Sequence, residues 1–278
     1  MKVVDYLSPT AASDFVESLR TTGFGVLSNH PIQKSWLESI YQNWLAFFNS
    51  DEKEDYLFDE QAQDGYYPTS ISETAKGNTI KDLKEFYHVY PSGRVPEHLE
   101  QEIRQYYAET SKFASELLSW IEHYSPEEVK RNYTQPLPEM IRDSEQTLLR
   151  VLHYPPLSGD EKPGSVRAAA HEDINFLTVL PAASEPGLQV KLNDGQWMDV
   201  PCNFGNLIIN IGDMLQEVTK GYFPSTSHRV INPKVKTENR SRISLPLFLH
   251  PRPDVVLSER YTAHSYLEER LRELGIKS

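Results

Sequence analysis

Apolar positions recur at helical spacing through the first half of the chain and at strand spacing through much of the second. Phe15, Val16 and Leu19 share one face of a short helix, with Gly23 as its natural stop. "GFGVL" then reads as a short strand. Trp36, Leu37, Ile40, Trp44, Phe47 and Phe48 keep a spacing of three and four, and so do Leu99, Ile103, Tyr106, Phe113, Leu117, Trp120 and Ile121. These aromatic stripes predict helix faces packed into a core. Near residue 140 the pattern changes. "TLLRVLHY" alternates and "PPLSGDEKPGS" breaks it. "NFLTVL", "LQVKL", "QWMDV", "NLIINI", "SHRVI" and "RISLPLFL" follow as short runs between turn signals, with "NDG" marking a tight hairpin. Short strands at this spacing predict an antiparallel barrel or double-sheet sandwich rather than βαβ units. "SYLEERLRELG" predicts a closing helix that covers the barrel or meets a partner. No repeat or low-complexity segment interrupts the chain. The expectation is one domain over 1–278: a mostly helical part at 1–140, a β core at 141–256 and a C-terminal helix at 257–278.

Composition narrows the function classes. The chain has 278 residues, 38% of them hydrophobic and 11% aromatic, enough for a sizeable core. A formal net charge of −12 argues against sequence-independent nucleic-acid binding and against an anionic membrane surface. The one cysteine, Cys202, allows no internal disulfide and fits a reducing compartment. "MKVVDYLSPTAASDF" carries no long apolar stretch and reads as lacking a signal peptide. No window approaches the ~18 consecutive apolar residues of a membrane helix. A cytoplasmic location is expected, and nothing fixes an oligomeric state.

"RAAAHEDINFLTVL" reads as a half-buried strand that carries His171, Glu172 and Asp173, although acids are poor strand residues. On a strand, positions i and i+2 share a face, so His171 and Asp173 project together and Glu172 points away. A His and a carboxylate side by side supply two ligands of a metal site. His228, in "STSHRVINP", is the candidate third. The three would form a 2-His-1-carboxylate triad, which suits Fe(II) and leaves neighbouring positions open. H-x-D alone is a weak signal among nine histidines, and His153 and His250 are read as structural. The odds change with "RISLPLFLHP", where Arg242 and Ser244 are again i and i+2. An Arg fork pairs bidentately with a carboxylate and a Ser hydroxyl adds a donor. Together the pairs point to a metal-bound acid whose far end is clamped.

With these residues in place, the chain resembles the isopenicillin N synthase-like family of Fe(II)/2-oxoglutarate-dependent oxygenases. "HYPP", "HEDINFLTVL", "GLQVKLNDGQWMDVP", "GNLIINIGDMLQEVTKGYFPSTSHRVINP" and "RISLPLFLHP" carry the resemblance, and "GFGVLSNHPI" and "DLKEFYHVYP" extend it towards the N-terminus. It implies a mainly β fold with flanking helices, built on a double-stranded β-helix, or jelly roll. It implies His171, Asp173 and His228 as iron ligands, and Arg242 and Ser244 on the C5 carboxylate of 2-oxoglutarate. Tyr154 would add a hydrogen bond to the same acid. The activity implied is oxidation of a small molecule by O2, by hydroxylation or desaturation, giving succinate and CO2, with ascorbate as a reductant. Two positions depart from the pattern: Glu172 stands where many relatives have Thr, and Leu152 where many plant relatives have Asn.

Three other readings use the same residues. Isopenicillin N synthase and ACC oxidase hold the triad without 2-oxoglutarate. A zinc hydrolase needs a placed general base as well. A non-catalytic binding protein would be expected to have a broken triad, and this one is complete. The substrate is not readable; "GYYPTS" at 65–70 and Phe86 are candidate pocket linings.

Overall fold

The computed structural model describes residues 1–71, 81–183, 186–192, 194–201, 203–233 and 239–273. In chain order the elements are β1 (Val3–Asp5), α1 (Ala11–Thr22), β2 (Phe24–Ser28), α2 (Lys34–Phe48), β3 (Gly65–Tyr67), β4 (Glu85–Val89), α3 (Glu97–Tyr124), α4 (Glu127–Lys130) and α5 (Leu137–Ile141). Then come β5 (Leu148–Tyr154), β6 (Ala168–His171), β7 (Leu177–Pro181), β8 (Leu188–Lys191), β9 (Trp197–Asp199), β10 (Leu207–Ile211), α6 (Asp213–Val218), β11 (His228–Val230), β12 (Arg242–Ser244), β13 (Leu247–Leu249) and α7 (Ala263–Glu273).

Among the described residues nine strands make a large sheet, in the order β1-β2-β10-β7-β13-β5-β4-β3, with β12 also on β5. Four make a smaller one, β6-β11-β8-β9. All pairs are antiparallel except β1 with β2. This is a jelly-roll core with helices on one side. α1, α2 and α3 pack on the outer face of the large sheet. The alternation in β5 explains how. Leu149 and Val151 join the main core with Trp44, Phe47 and Phe48 of α2, while Leu148, Arg150, Leu152 and Tyr154 point to a cavity on the other face. α1 and α3 bury the residues that their spacing marked, from Phe15 and Leu19 to Leu117 and Ile121.

The structure alters the sequence reading in three places. The N-terminal part contributes β1, β3 and β4 to the large sheet besides its helices and the expected β2. β1 has only three residues, and β3 and β4 are buried throughout, so none shows a readable alternation. "RAAAHEDINFLTVL" is not one strand: β6 ends at His171 in the small sheet and β7 begins at Leu177 in the large one. "RISLPLFL" is likewise split at Pro246 into β12 and β13, and the Pro246 carbonyl accepts the Arg150 amide at 3.0 Å. β8 and β9 form the expected hairpin. Asn193 of its turn, Cys202 and the chain beyond Glu273 lie outside the described residues.

Gly23 ends α1 in the left-handed conformation at φ 71° and donates its amide to Leu19 O at 2.8 Å. A Cβ there would lie 2.3 Å from Thr226 Oγ1 and 2.5 Å from the Pro224 carbonyl. Gly23→Ala is therefore expected to cost about 2–4 kcal/mol, from the strained φ and the overlap together. Urea unfolding of the variant against the wild type measures it.

Candidate metal centre

β6 and β11 are neighbours, and His171 lies directly opposite His228. Their ring centres are 4.5 Å apart. Each ring is oriented by a carbonyl two residues back on its own segment: His171 Nδ1 donates to Ala169 O at 2.7 Å and His228 Nδ1 to Thr226 O at 3.2 Å. Both bonds leave the Nε2 lone pair as the free ligand atom. Asp173 follows in the turn after β6, not on the strand. Its Oδ1 lies 3.8 Å from His171 Nε2 and 3.7 Å from His228 Nε2. One ligand atom from each of the three residues falls within 4.8 Å of the others.

The other carboxylate oxygen is held from behind. Asp173 Oδ2 accepts from Asn210 Nδ2 of β10 at 2.8 Å and from the Thr178 hydroxyl of β7. Asn175 Nδ2 in turn donates to Thr178 Oγ1 at 3.1 Å. The backbone of the turn is fixed by the start of α6: Asp213 N donates to Asp173 O at 2.7 Å and Met214 N to Asn175 O at 3.1 Å. Gly212 makes this approach feasible, because a Cβ there would meet Asn175 O and Oδ1 at 2.2 Å.

The electrostatics suit a divalent cation. Desolvation, reinforced by the neighbouring His228, pushes the His171 imidazole below its ordinary value, so the ring is neutral and its lone pair available. Burial would raise the Asp173 carboxyl, but its surroundings, the Asn210 and Thr178 hydrogen bonds among them, outweigh that and lower it. Two imidazoles and one carboxylate on a rigid frame fit Fe(II).

β12 and β5 supply a second constellation. Arg242 lies opposite Tyr154, and Ser244 opposite Leu152. Arg242, Ser244 and Tyr154 are all buried. The Arg242 guanidinium sits 5.7 Å from the Tyr154 ring centre and donates to Pro186 O at 3.1 Å. These three residues and the His–Asp–His cluster line one cavity of about 1620 Å³. Leu152, at the departure from the plant pattern, packs in its wall with Tyr67 and Phe86, so two of the expected linings are present. Glu172 is exposed and outside the ligand cluster.

His153 faces the helices, held between Glu85 Oε1 at 2.7 Å and Ser241 Oγ at 3.1 Å. His250 donates from Nδ1 to Phe248 O at 3.0 Å, and burial pushes it down to about 4. α7 borders the cavity through His264 and Leu267. Among the described residues no helix is long and apolar enough to cross a membrane. Sequence reasoning missed Asn210, Thr178 and Asn175. The one available signal was a polar residue inside the apolar run "NLIINI".

The model of the 2OG-Fe(II) oxygenase superfamily matches residues 145–251, and that of the N-terminal region of the non-haem dioxygenases in morphine synthesis matches 5–111. The chain is 30% identical over 292 residues to 2-oxoglutarate-dependent dioxygenase 11 of Oryza sativa subsp. japonica, covering 94% of this chain and 76% of that protein. A crystal structure from Shewanella oneidensis, described as an oxygenase, is 61% identical with a TM-score of 0.91, over 100% of this chain and 99% of that one. One from Caulobacter crescentus, described as a 2OG-Fe(II) oxygenase family protein, is 30% identical with a TM-score of 0.80, over 100% and 99%. With this site inside a jelly-roll core, the chain belongs to the 2OG-Fe(II) oxygenase superfamily and is a non-haem Fe(II)- and 2-oxoglutarate-dependent oxygenase.

Proposed function

We propose that His171, Asp173 and His228 are the iron ligands of this oxygenase, and that Arg242, Ser244 and Tyr154 hold the C5 carboxylate of 2-oxoglutarate. The observation that carries this reading is the convergence of three ligand atoms within 4.8 Å in the same cavity as a buried Arg, Ser and Tyr. Fe(II) in the triad supplies the activation of O2 that couples decarboxylation of 2-oxoglutarate to succinate with oxidation of a substrate C–H bond. The protein's own part is positioning. The two Nε2 lone pairs and Asp173 Oδ1 set the ligand directions. The Arg242 fork pairs with the distal carboxylate, and the Ser244 and Tyr154 hydroxyls donate to it. The apolar wall around Leu152 and Phe86 keeps water from the reacting carbon. The substrate is a small molecule, oxidised by hydroxylation or desaturation, with ascorbate as a reductant.

Residues 1–278 act as one oxygenase unit in this reading, because β2 from the N-terminal part completes the sheet that carries Asn210. The single cysteine and the charge of −12 support a cytoplasmic enzyme.

Anaerobic titration of the metal-free protein with Fe(II) and then 2-oxoglutarate tests the assignment. A saturable visible charge-transfer band is expected, and it should be absent in His171→Ala. Fe(II) binding without the band would defeat the 2-oxoglutarate clamp, and no Fe(II) binding would defeat the triad. Arg242→Ala leaves a carboxylate unpaired in a buried pocket, at a cost of ~3–5 kcal/mol. A loss of roughly 10²–10³ or more in co-substrate affinity is expected, and Arg242→Lys should rescue only part because an ammonium has no fork. Asn210→Ala releases Asp173 Oδ2, and Fe(II) affinity should fall roughly 10–100-fold, as for other residues that orient a ligand from behind. Titration by the same band, or by calorimetry, reads both.

A further inference from the structure

β6, the strand that ends in His171, stands at one end of the small sheet, with β11 on its inner side. Within a strand the amide and carbonyl of one residue point to the same side. Ala169 has both groups engaged. Its carbonyl accepts His171 Nδ1 at 2.7 Å, the bond that orients the imidazole. Its amide donates to Asp82 Oδ1 at 2.9 Å. The ring of a candidate iron ligand and a carboxylate distant in sequence therefore meet on one residue.

Asp82 belongs to "DLKEF", the segment that leads into β4 of the large sheet. Its other oxygen, Oδ2, pairs with Lys84 Nζ at 2.9 Å, and both side chains are buried. A carboxylate bonded at both oxygens is fixed in rotation as well as in place, and as an acceptor it makes a stronger bond to an amide than a neutral group does. Between the two, Leu83 N donates to Val166 O at 3.1 Å, so the backbone of this segment also lies along the approach to β6. Asp82 and Lys84 border the cavity, whereas Glu85 bonds Lys53 and His153 behind the sheet. Four successive residues thus reach both the strand of His171 and the strand of Tyr154.

We propose that Asp82 is a positioning residue for the iron. By holding the Ala169 amide it fixes the carbonyl that orients His171, and so the direction in which His171 Nε2 points; Lys84 holds the carboxylate in place for that task. This inference rests on the reading of His171 as an iron ligand, and it adds a residue on which the ligand's geometry depends.

Two charge-neutral double variants test it. Asp82→Leu/Lys84→Met exchanges the ion pair for apolar groups, a change that buried pairs often tolerate without loss of stability, and it removes the acceptor. Asp82→Asn/Lys84→Gln keeps an acceptor beside the Ala169 amide. Nitrogen NMR of the metal-free proteins reads which ring nitrogen of His171 carries the proton, and anaerobic calorimetric titration with Fe(II) reads ligation. In the wild type and in Asp82→Asn/Lys84→Gln the proton should rest on Nδ1. In Asp82→Leu/Lys84→Met it should spread over both nitrogens, and Fe(II) affinity should fall roughly tenfold or more below that of the other double variant. Equal Fe(II) affinity in the two double variants, or an unchanged His171 proton in Asp82→Leu/Lys84→Met, would overturn the proposal, since the lost charge is common to both. Hydrogen exchange at the Ala169 amide needs no variant: slow exchange is expected in the wild type, and exchange at the rate of an open amide overturns the proposal too. Failure of the iron reading shows separately, as a wild type that binds no Fe(II), while the position of the His171 proton is still read on the metal-free protein.

Discussion

A carboxylate cannot be taken out of water unless its charge is answered, and the centre of this protein is arranged around one such group. Asp173 is about 6% exposed, where an unpaired charge would cost several kcal/mol. One of its oxygens is satisfied by Asn210 and Thr178, and the other faces two imidazoles. Those partners come from both sheets: β7 and β10 of the large one, β6 and β11 of the small one. The group therefore sits where the chain crosses between sheets, and it ties them together. A divalent cation held by Oδ1 and the two Nε2 atoms would complete that charge balance.

The large sheet has two unlike faces, and β5 carries both. Towards the helices, Leu149 and Val151 pack into the aromatic core of α2, and His153 stacks on Phe48 with centres 5.3 Å apart. A buried polar group lies there too. Glu85 accepts from Lys53 at 3.1 Å, from His153 and from the Tyr66 hydroxyl, and His153 reaches on to Ser241, the residue before Arg242. Burial would raise the Glu85 carboxyl, but these bonds outweigh it and hold the group ionised. The strands that carry Arg242 and Tyr154 on the cavity face are thus bound together from behind.

Much of this was legible in the sequence, and the rest was hidden for physical reasons. His171, Asp173, His228, Arg242 and Ser244 stand out because few structural roles require those residue types at those spacings. The i, i+2 argument reached Asp173 by the wrong route, since the strand ends at His171 and the turn is set by the amides of α6. Alternation identified the two faces of β5 but could not say which of them bordered a cavity. Asn210 and Thr178 act only through a residue far away in sequence, and local pattern carries no information about such a contact. Strands as short and as fully buried as β3 and β4 offer too few polar positions for a period to be read.

Sheet order also bears on how the molecule reaches this arrangement. β2 leaves the ribosome well before its antiparallel partner β10, which lies roughly 180 residues further on, with Val26 paired to Ile208. Until β10 is made, β2 has only the three-residue β1 beside it, and its hydrogen-bonding edge stays open. Closing so long a loop is slow, and the last strand to dock there brings Asn210 with it. The Asp173 carboxylate therefore gains its Asn210 partner only after β10 has docked. A nascent chain stalled before residue 207 presents an unpaired, apolar strand edge to whatever holds such edges in the cell.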